Sequence, residues 1–260
     1  MSKLLDRLDH ITRGAPNALG FTAAASRETI PQMALLARVT TPRQSDISAL
    51  ADAKVDAFIL SDEGKSPKQT VKPLKDRIWG AMVDRLGREQ MEAYKAAESD
   101  FMVFGIDGTL ADTLEEGEAA RILRIPPNLE EPILRGLEDL PIDIVLLQRP
   151  GVSEPLTLTH LLAISNVRTA MSRYLLLEWD GELTARDLEH LRDIGVDGIV
   201  LDTTEVGADT FKSVRQRIDA MPKRKPRGEP KPAAVLPRFG GLPVTDHHHE
   251  EDEEEDEDEM

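Results

Sequence analysis

The sequence predicts an α/β protein: a single closed (βα)8 barrel with an N-terminal cap helix and a disordered C-terminal tail. Three observations carry that expectation. Eight short apolar runs recur at 34–39, 57–60, 78–83, 101–104, 122–125, 142–147, 174–177 and 198–201, their starts roughly 20 to 24 residues apart with one longer gap of about 32. Each run is followed by a polar turn and then by apolar residues at helical spacing. The runs are near-continuously apolar rather than alternating. Parallel strands need that pattern when one face meets the barrel core and the other meets covering helices.

Residues 1–30 precede the repeat and read as an N-terminal capping segment. Leu4, Leu5, Leu8 and Ile11 share one helical face there. Acids interrupt the segment at once, so it reads as an amphipathic helix rather than a signal peptide. Ala18-Leu19-Gly20-Phe21-Thr22 is a candidate extra strand, and the whole segment is expected to plug the amino-terminal mouth. The barrel is expected over 31–221. Helical periodicity falls at 45–53, 68–76, 88–98, 129–140, 156–171, 185–194 and 210–221, with Ser45, Thr184 and Asp209 as caps and Gly195 as a stop. The unit at 110–119 is acidic and supports two helical turns at most. An open doubly wound sheet is the competing architecture. It wants a glycine-rich turn after the first strand, but Val39 is followed by Thr40-Thr41-Pro42-Arg43-Gln44.

Composition narrows the setting. The 260 residues contain no cysteine, which excludes disulfides and thiolate metal sites and suits a reducing compartment. No run approaches the ~20 apolar residues of a membrane span, so a cytoplasmic protein with no membrane partner is expected. The net charge of −16 is uneven. Residues 1–221 carry −10, residues 222–245 carry +5 with six of the 17 prolines, and residues 246–260 hold 11 acids and no Lys or Arg. The region 222–245 therefore reads as a basic Pro-rich linker and 246–260 as a polyacidic tail, both expected to be disordered. An acidic body disfavours nucleic acid. The tail makes a basic protein its candidate partner, and the apolar helix at 156–171 is a candidate surface for a homo-oligomer.

Four segments approach known motifs and fall short. Phe104-Gly105-Ile106-Asp107-Gly108-Thr109 resembles the first motif of haloacid-dehalogenase-like phosphatases, where a strand ends in Asp-x-Asp-Gly-Thr. Gly105 stands where that family has its nucleophile, so covalent phosphoryl transfer has nothing to attack with. Asp107-Gly108-Thr109 is expected to be a turn instead. Gly64-Lys65-Ser66 echoes a phosphate-binding loop, but Ile59 replaces its leading glycine. Gly151-Val152-Ser153-Glu154-Pro155 is half of a nucleophile elbow, with Pro155 in place of the second glycine. His247, His248 and His249 lie in the charged tail, where no coordination geometry is fixed. His160 and His190 are expected on outer helix surfaces and His10 on the first helix. No His-x-x-x-His pair is present, which argues against a zinc hydrolase.

A barrel places its site at the carboxyl ends of the strands. The residues just past the apolar runs are mixed in charge. Asp84, Asp107, Glu178 and Asp202 are the candidate catalytic acids, and a divalent cation such as Mg²⁺ is their candidate cofactor, since it takes hard oxygen ligands. Arg38, Arg124, Gln148 and Arg149 are the candidates for binding substrate, arginine being suited to bidentate contact with carboxylate or phosphate. Arg38 and Arg124 lie inside apolar runs, so each must be paired or face the mouth. The turns after the last two strands offer one glycine each amid acids, at Gly181 and Gly207, which weakens any standard phosphate grip. No lysine lies within a strand run, against a Schiff-base aldolase. The resulting reading is an enzyme acting on a small anionic metabolite. The alternative is a non-catalytic barrel scaffold that uses its charged tail, with the strand-end charges spent on ion pairs.

The segment Leu183-Thr184-Ala185-Arg186-Asp187-Leu188 through Gly195-Val196-Asp197-Gly198-Ile199-Val200-Leu201-Asp202 resembles the last helix–strand unit of many (βα)8, or TIM-barrel, enzymes. The likeness covers some 20 residues. It implies the architecture and no particular family.

Overall fold

The computed structural model describes residues 2–13, 30–61, 71–114, 117–149 and 155–222. The segment expected as a strand at 18–22, the loop at 64–66, the turn at 151–154, the basic linker from residue 223 and the acidic tail lie outside these residues.

Eight parallel strands close into a barrel in sequence order: β1 (Ala34–Val39), β2 (Ala57–Ser61), β3 (Trp79–Val83), β4 (Phe101–Gly105), β5 (Ala120–Ile125), β6 (Ile144–Leu147), β7 (Tyr174–Trp179) and β8 (Gly198–Asp202). The ring is completed by β8 pairing with β1, Asp202 beside Arg38. Helix α1 (Lys3–Arg13) precedes the barrel. Among the described residues the other α-helices are α2 (Gln44–Asp52), α3 (Arg88–Lys95), α4 (Glu131–Glu138), α5 (Leu158–Ala170), α6 (Ala185–Ile194) and α7 (Ala208–Ala220).

Period-two alternation divides the strand residues between two cores. One parity, including Leu36, Ile59, Val103, Ile122, Leu146 and Val200, fills the barrel. The other, including Leu35, Phe58, Phe104, Leu123, Val145 and Leu201, packs beneath the helices. Leu4, Leu8 and Ile11 of α1 join the inner core, so α1 plugs the amino-terminal mouth as expected. Asp100 fixes its start, accepting hydrogen bonds from Ser2 Oγ and from the Lys3 and Leu4 amides at 2.8–2.9 Å.

Following the strand pairings once around from Arg38 returns to β1 eight residues earlier, at Ile30. That stagger of eight stacks inward residues in layers of four from alternate strands. Leu36, Gly80, Ile122 and Leu176 form one layer, and Ile59, Val103, Leu146 and Val200 lie above it. The barrel is filled by matching large to small. A Cβ on Gly80 would stand 2.2 Å from the Phe101 ring and 2.4 Å from its carbonyl oxygen. Gly80→Ala is therefore expected to cost about 2 kcal/mol by overpacking, read as a lower urea midpoint with an unchanged slope.

An aspartate precedes each even-numbered strand, at Asp56, Asp100, Asp143 and Asp197. Asp56, Asp143 and Asp197 each accept the amide of the neighbouring odd strand, Leu35, Arg121 and Leu175 respectively, at 2.8 Å. Lys54, Glu98 and Gly195, two residues ahead of three of these aspartates, take left-handed φ values of 55°, 61° and 102°. The same short device thus ends a helix and turns the chain, and at Asp56 and Asp197 it ties the coming even strand to the odd strand before it, while at Asp100 it holds α1.

Tyr174 donates to Asp9 and so ties α1 to β7. Burial, then the hydrogen bond to Asp9 and its charge, push the Tyr174 hydroxyl up to about 12. The folded value lies above the ordinary one of about 10, so this contribution is intact below about pH 10 and is lost as pH rises through the folded value. Tyr174→Phe is expected to remove that alkaline component of unfolding. An unchanged alkaline limb in the variant would refute the assignment.

Several local expectations change. Over the described parts of 68–76 and of 110–119 the chain forms only short 3₁₀ turns, Lys72–Leu74 and Ala111–Leu114. The caps of α2 and α7 are Arg43 and Gly207, without side-chain hydrogen bonds, rather than Ser45 and Asp209. Thr184 and Gly195 cap α6 as expected. His160 is buried rather than on the helix surface. It completes a capping box with Thr157 and meets Trp179 edge-on.

Candidate functional site

The register that stacks the core also assembles the carboxyl mouth. Above the apolar layers the next inward set is Arg38, Met82, Arg124 and Glu178, from β1, β3, β5 and β7. Ser61, Gly105, Gln148 and Asp202 follow from the even strands. Six of the eight predicted site residues thus face the mouth or stand at its rim: Arg38, Arg124, Gln148, Glu178 and Asp202 by strand parity, and Asp84 two residues above Met82 on the same parity.

Four of them form one chain of ion pairs. Glu178 accepts both Nε and Nη2 of Arg124, at 2.7 and 2.9 Å, a bidentate contact across the intervening β6. The same Glu178 lies 3.5 Å from Nη1 of Arg38. Arg38 turns its Nε and Nη2 to Asp202, with Nε at 2.6 Å. The second oxygen of Asp202 is held by the Thr204 amide and hydroxyl, both at 2.8 Å. Thr203 donates its hydroxyl to the Arg38 carbonyl at 3.0 Å. The Arg38 and Arg124 side chains keep 26 % and 29 % of their surface, against 13 % for Glu178.

The electrostatics follow from these contacts. For Asp202, burial opposes ionisation, but hydrogen bonds from Thr204 and Arg38 and the Arg38 charge outweigh it, holding the carboxyl below its ordinary value. Its stabilising contribution is present above the ordinary aspartate range and is lost as pH falls through the lowered value. The hydrogen bond to Glu178 raises Arg124 above its usual value. Burial works against that, and the charges of Glu178 and Asp84 add to it. Asp84 is exposed at the end of β3 and has no ion pair among the described residues, yet its field reaches Arg124.

Two predicted residues stand apart. Arg149 lies one residue past Gln148, on the outward parity. It stacks on Trp179 with its guanidinium carbon 4.4 Å from the ring centroid, and it pairs with Asp180. Asp107 is exposed in the turn after β4, where Gly108 has φ 76° and Thr109 donates to the Gly105 carbonyl. The turn expected for Asp107-Gly108-Thr109 is what forms. Among the described residues no three His, Asp or Glu side chains stand close enough to hold a metal ion.

The sequence places Thr203 among the strand-end residues without a role and does not single out Thr204; the two clamp Arg38 and Asp202 from the loop after β8. Sequence reading missed Met82, the uncharged fourth member of the arginine layer. The shear of eight, combined with strand parity, would have located Met82. Nothing in the local sequence marks the role of the two threonines.

Comparison with known proteins agrees with the geometry. No family model matches the chain, and no curated protein matches it. Solved barrels do. A ligand-free tryptophan synthase from M. tuberculosis superposes with a TM-score of 0.59 at 12 % identity, covering 85 % of this chain and 98 % of its own. A tryptophan synthase α-subunit from Pyrococcus furiosus gives 0.57 at 13 % identity, over 73 % and 97 %. Phosphoribosyl anthranilate isomerase from Thermus thermophilus gives 0.54 at 16 %, over 71 % and 98 %. At such identities the likeness shows the fold alone. Among the described residues no helix is long and apolar enough to cross a membrane. The described residues form a single TIM-type (βα)8 barrel.

Proposed function

We propose that the carboxyl mouth binds a small anionic metabolite, a carboxylate or phosphate, between Arg38 and Arg124. The observation that carries this reading is their shared layer. Two guanidinium groups on the inward face are oriented by one carboxylate, Glu178, and each remains more than a quarter exposed. Glu178 balances their charge at rest and fixes their planes. Arg124 Nη1 makes no hydrogen bond among the described residues, so a donor is left for an incoming anion. Asp84, not bound to an arginine among the described residues, is the carboxylate placed to move a proton on the bound molecule. The proposal uses no metal ion.

The test is thermal unfolding of the full chain with phosphate and short mono- and dicarboxylates, each against sodium chloride of equal ionic strength. A saturable rise in Tm that Arg124→Gln abolishes is the expected result. No rise with any of these anions would defeat the reading.

A second reading has its own observation. Arg38, Arg124, Glu178 and Asp202 already satisfy one another, as a scaffold's mouth would. In that case the basic linker and acidic tail would carry an interaction with a basic partner. Deleting residues 223–260 should then remove a partner in pull-down while leaving the barrel folded and indifferent to anions.

A further inference from the structure

A cavity of about 260 Å³ opens at the seam where β8 meets β1, outside the barrel and between α2 and α7. None of the mouth charges lines it. Its floor is apolar, made of Val39, Leu50 and Phe211. Its rim carries the hydroxyls of Thr40, Thr41, Thr203 and Thr204 and the carboxylate of Asp46.

The rim's chemistry is set by where its protons already point. Thr203 spends its hydroxyl proton on the Arg38 carbonyl at 3.0 Å, and Thr204 spends its own on Asp202 at 2.8 Å. Both oxygens therefore turn lone pairs, not protons, toward any ligand. Asp46 is an acceptor only, and among the described residues just one of its oxygens is engaged, by the neighbouring Ser45 hydroxyl at 3.0 Å. The start of α7, at Gly207 and Ala208, borders the same space. An anion drawn to those amides would meet the Asp46 carboxylate. The Thr40 and Thr41 hydroxyls can accept as well as donate, so the one fixed charge and the two oriented hydroxyls, set over an apolar floor, select a donor cation with a short hydrocarbon stem.

We infer that this cavity is a binding site for a short primary aliphatic amine, with its ammonium among Asp46, Thr203 and Thr204 and its stem on Val39, Leu50 and Phe211. An alkylammonium is protonated at neutral pH, as a lysine side chain is, and supplies three N–H donors. The cavity takes none of the mouth's charged side chains into its lining, although Thr203 and Thr204 border both places.

The test uses the full chain and n-butylammonium chloride as the probe, with sodium butyrate and sodium chloride as controls. Amide chemical shifts and Tm are followed through the titration. Saturable shifts centred on residues 40–50 and 203–211, produced by butylammonium and not by butyrate, are expected. Asp46→Asn, at an exposed helix position that the fold tolerates, should weaken binding about tenfold by removing the charged acceptor. Ala49→Leu should abolish it by filling the cavity, with the Arg124→Gln variant binding as the parent does. Absence of saturable shifts, shifts centred elsewhere, equal response to butyrate, or indifference to both cavity substitutions would each overturn the inference.

Discussion

Asp56→Ala is expected to lower the unfolding free energy by about 3–5 kcal/mol, the cost of removing one partner from a buried ionic cluster. Asp56 keeps 3 % of its side-chain surface and Arg215 keeps 6 %. One oxygen of Asp56 takes the Leu35 amide at 2.8 Å and Arg215 at 3.0 Å, and the other takes Arg7 of α1 at 2.8 Å. The carboxylate thus joins the start of the barrel, the plug helix and α7, and its loss leaves the buried Arg215 with Asp219 as its remaining acid partner and the Leu35 amide without its acceptor. Asp56→Asn, which can still accept the Leu35 amide, should fall between parent and alanine variant. Urea denaturation measures both. A loss below about 1 kcal/mol for the alanine variant would show that the cluster is not a structural keystone.

Glu178→Ala is the second large effect, with an expected loss of about 2–3 kcal/mol. The figure is set below the buried-pair range because both arginines remain partly solvated. The distinctive expectation concerns rescue. With Glu178 gone, Arg38 and Arg124 face each other's charge, and phosphate entering the mouth should restore part of the lost stability. Phosphate should raise the Tm of this variant more than that of the parent at equal ionic strength. An equal response in both proteins would mean that the two arginines do not form one anion site.

The eight-unit rhythm was legible because buried parallel strands must be apolar on both faces, and that leaves a strong local signal. Arg38 and Arg124 were conspicuous for the same reason: a charge inside such a run has to be answered. What answers it was not legible. Glu178 reaches Arg124 across β6 and Arg38 across β8, contacts that depend on the barrel's stagger and on no local spacing. His160 looked like a helix-surface residue because periodicity gives a helix its faces only after its first residue is known. With α5 beginning at Leu158 and capped by Thr157, His160 falls in the first turn and against Trp179. Arg149 differs from Gln148 by a single residue of parity, which sends it outward onto Trp179 while Gln148 faces in.

The repeated aspartates show the converse. Lys54-Val55-Asp56, Glu98-Ser99-Asp100 and Gly195-Val196-Asp197 share a left-handed residue, a spacer and an acid, and each precedes an even strand. The pattern is visible in the sequence once the register shows what each carboxylate holds. These charges belong to the amino-terminal face, where they serve stability, and the strand-end charges at the other face are the ones we propose as the site.

Arg38 and Arg124 are proposed to form one anion site at the barrel's carboxyl mouth. The decisive experiment is calorimetric titration of the full chain with phosphate and with a short dicarboxylate, in parallel with Arg124→Gln. Saturable binding by the parent to at least one of these anions, lost in the variant while its fold is retained, is the predicted result. Binding that survives Arg124→Gln unchanged, or no binding by the parent, would contradict it.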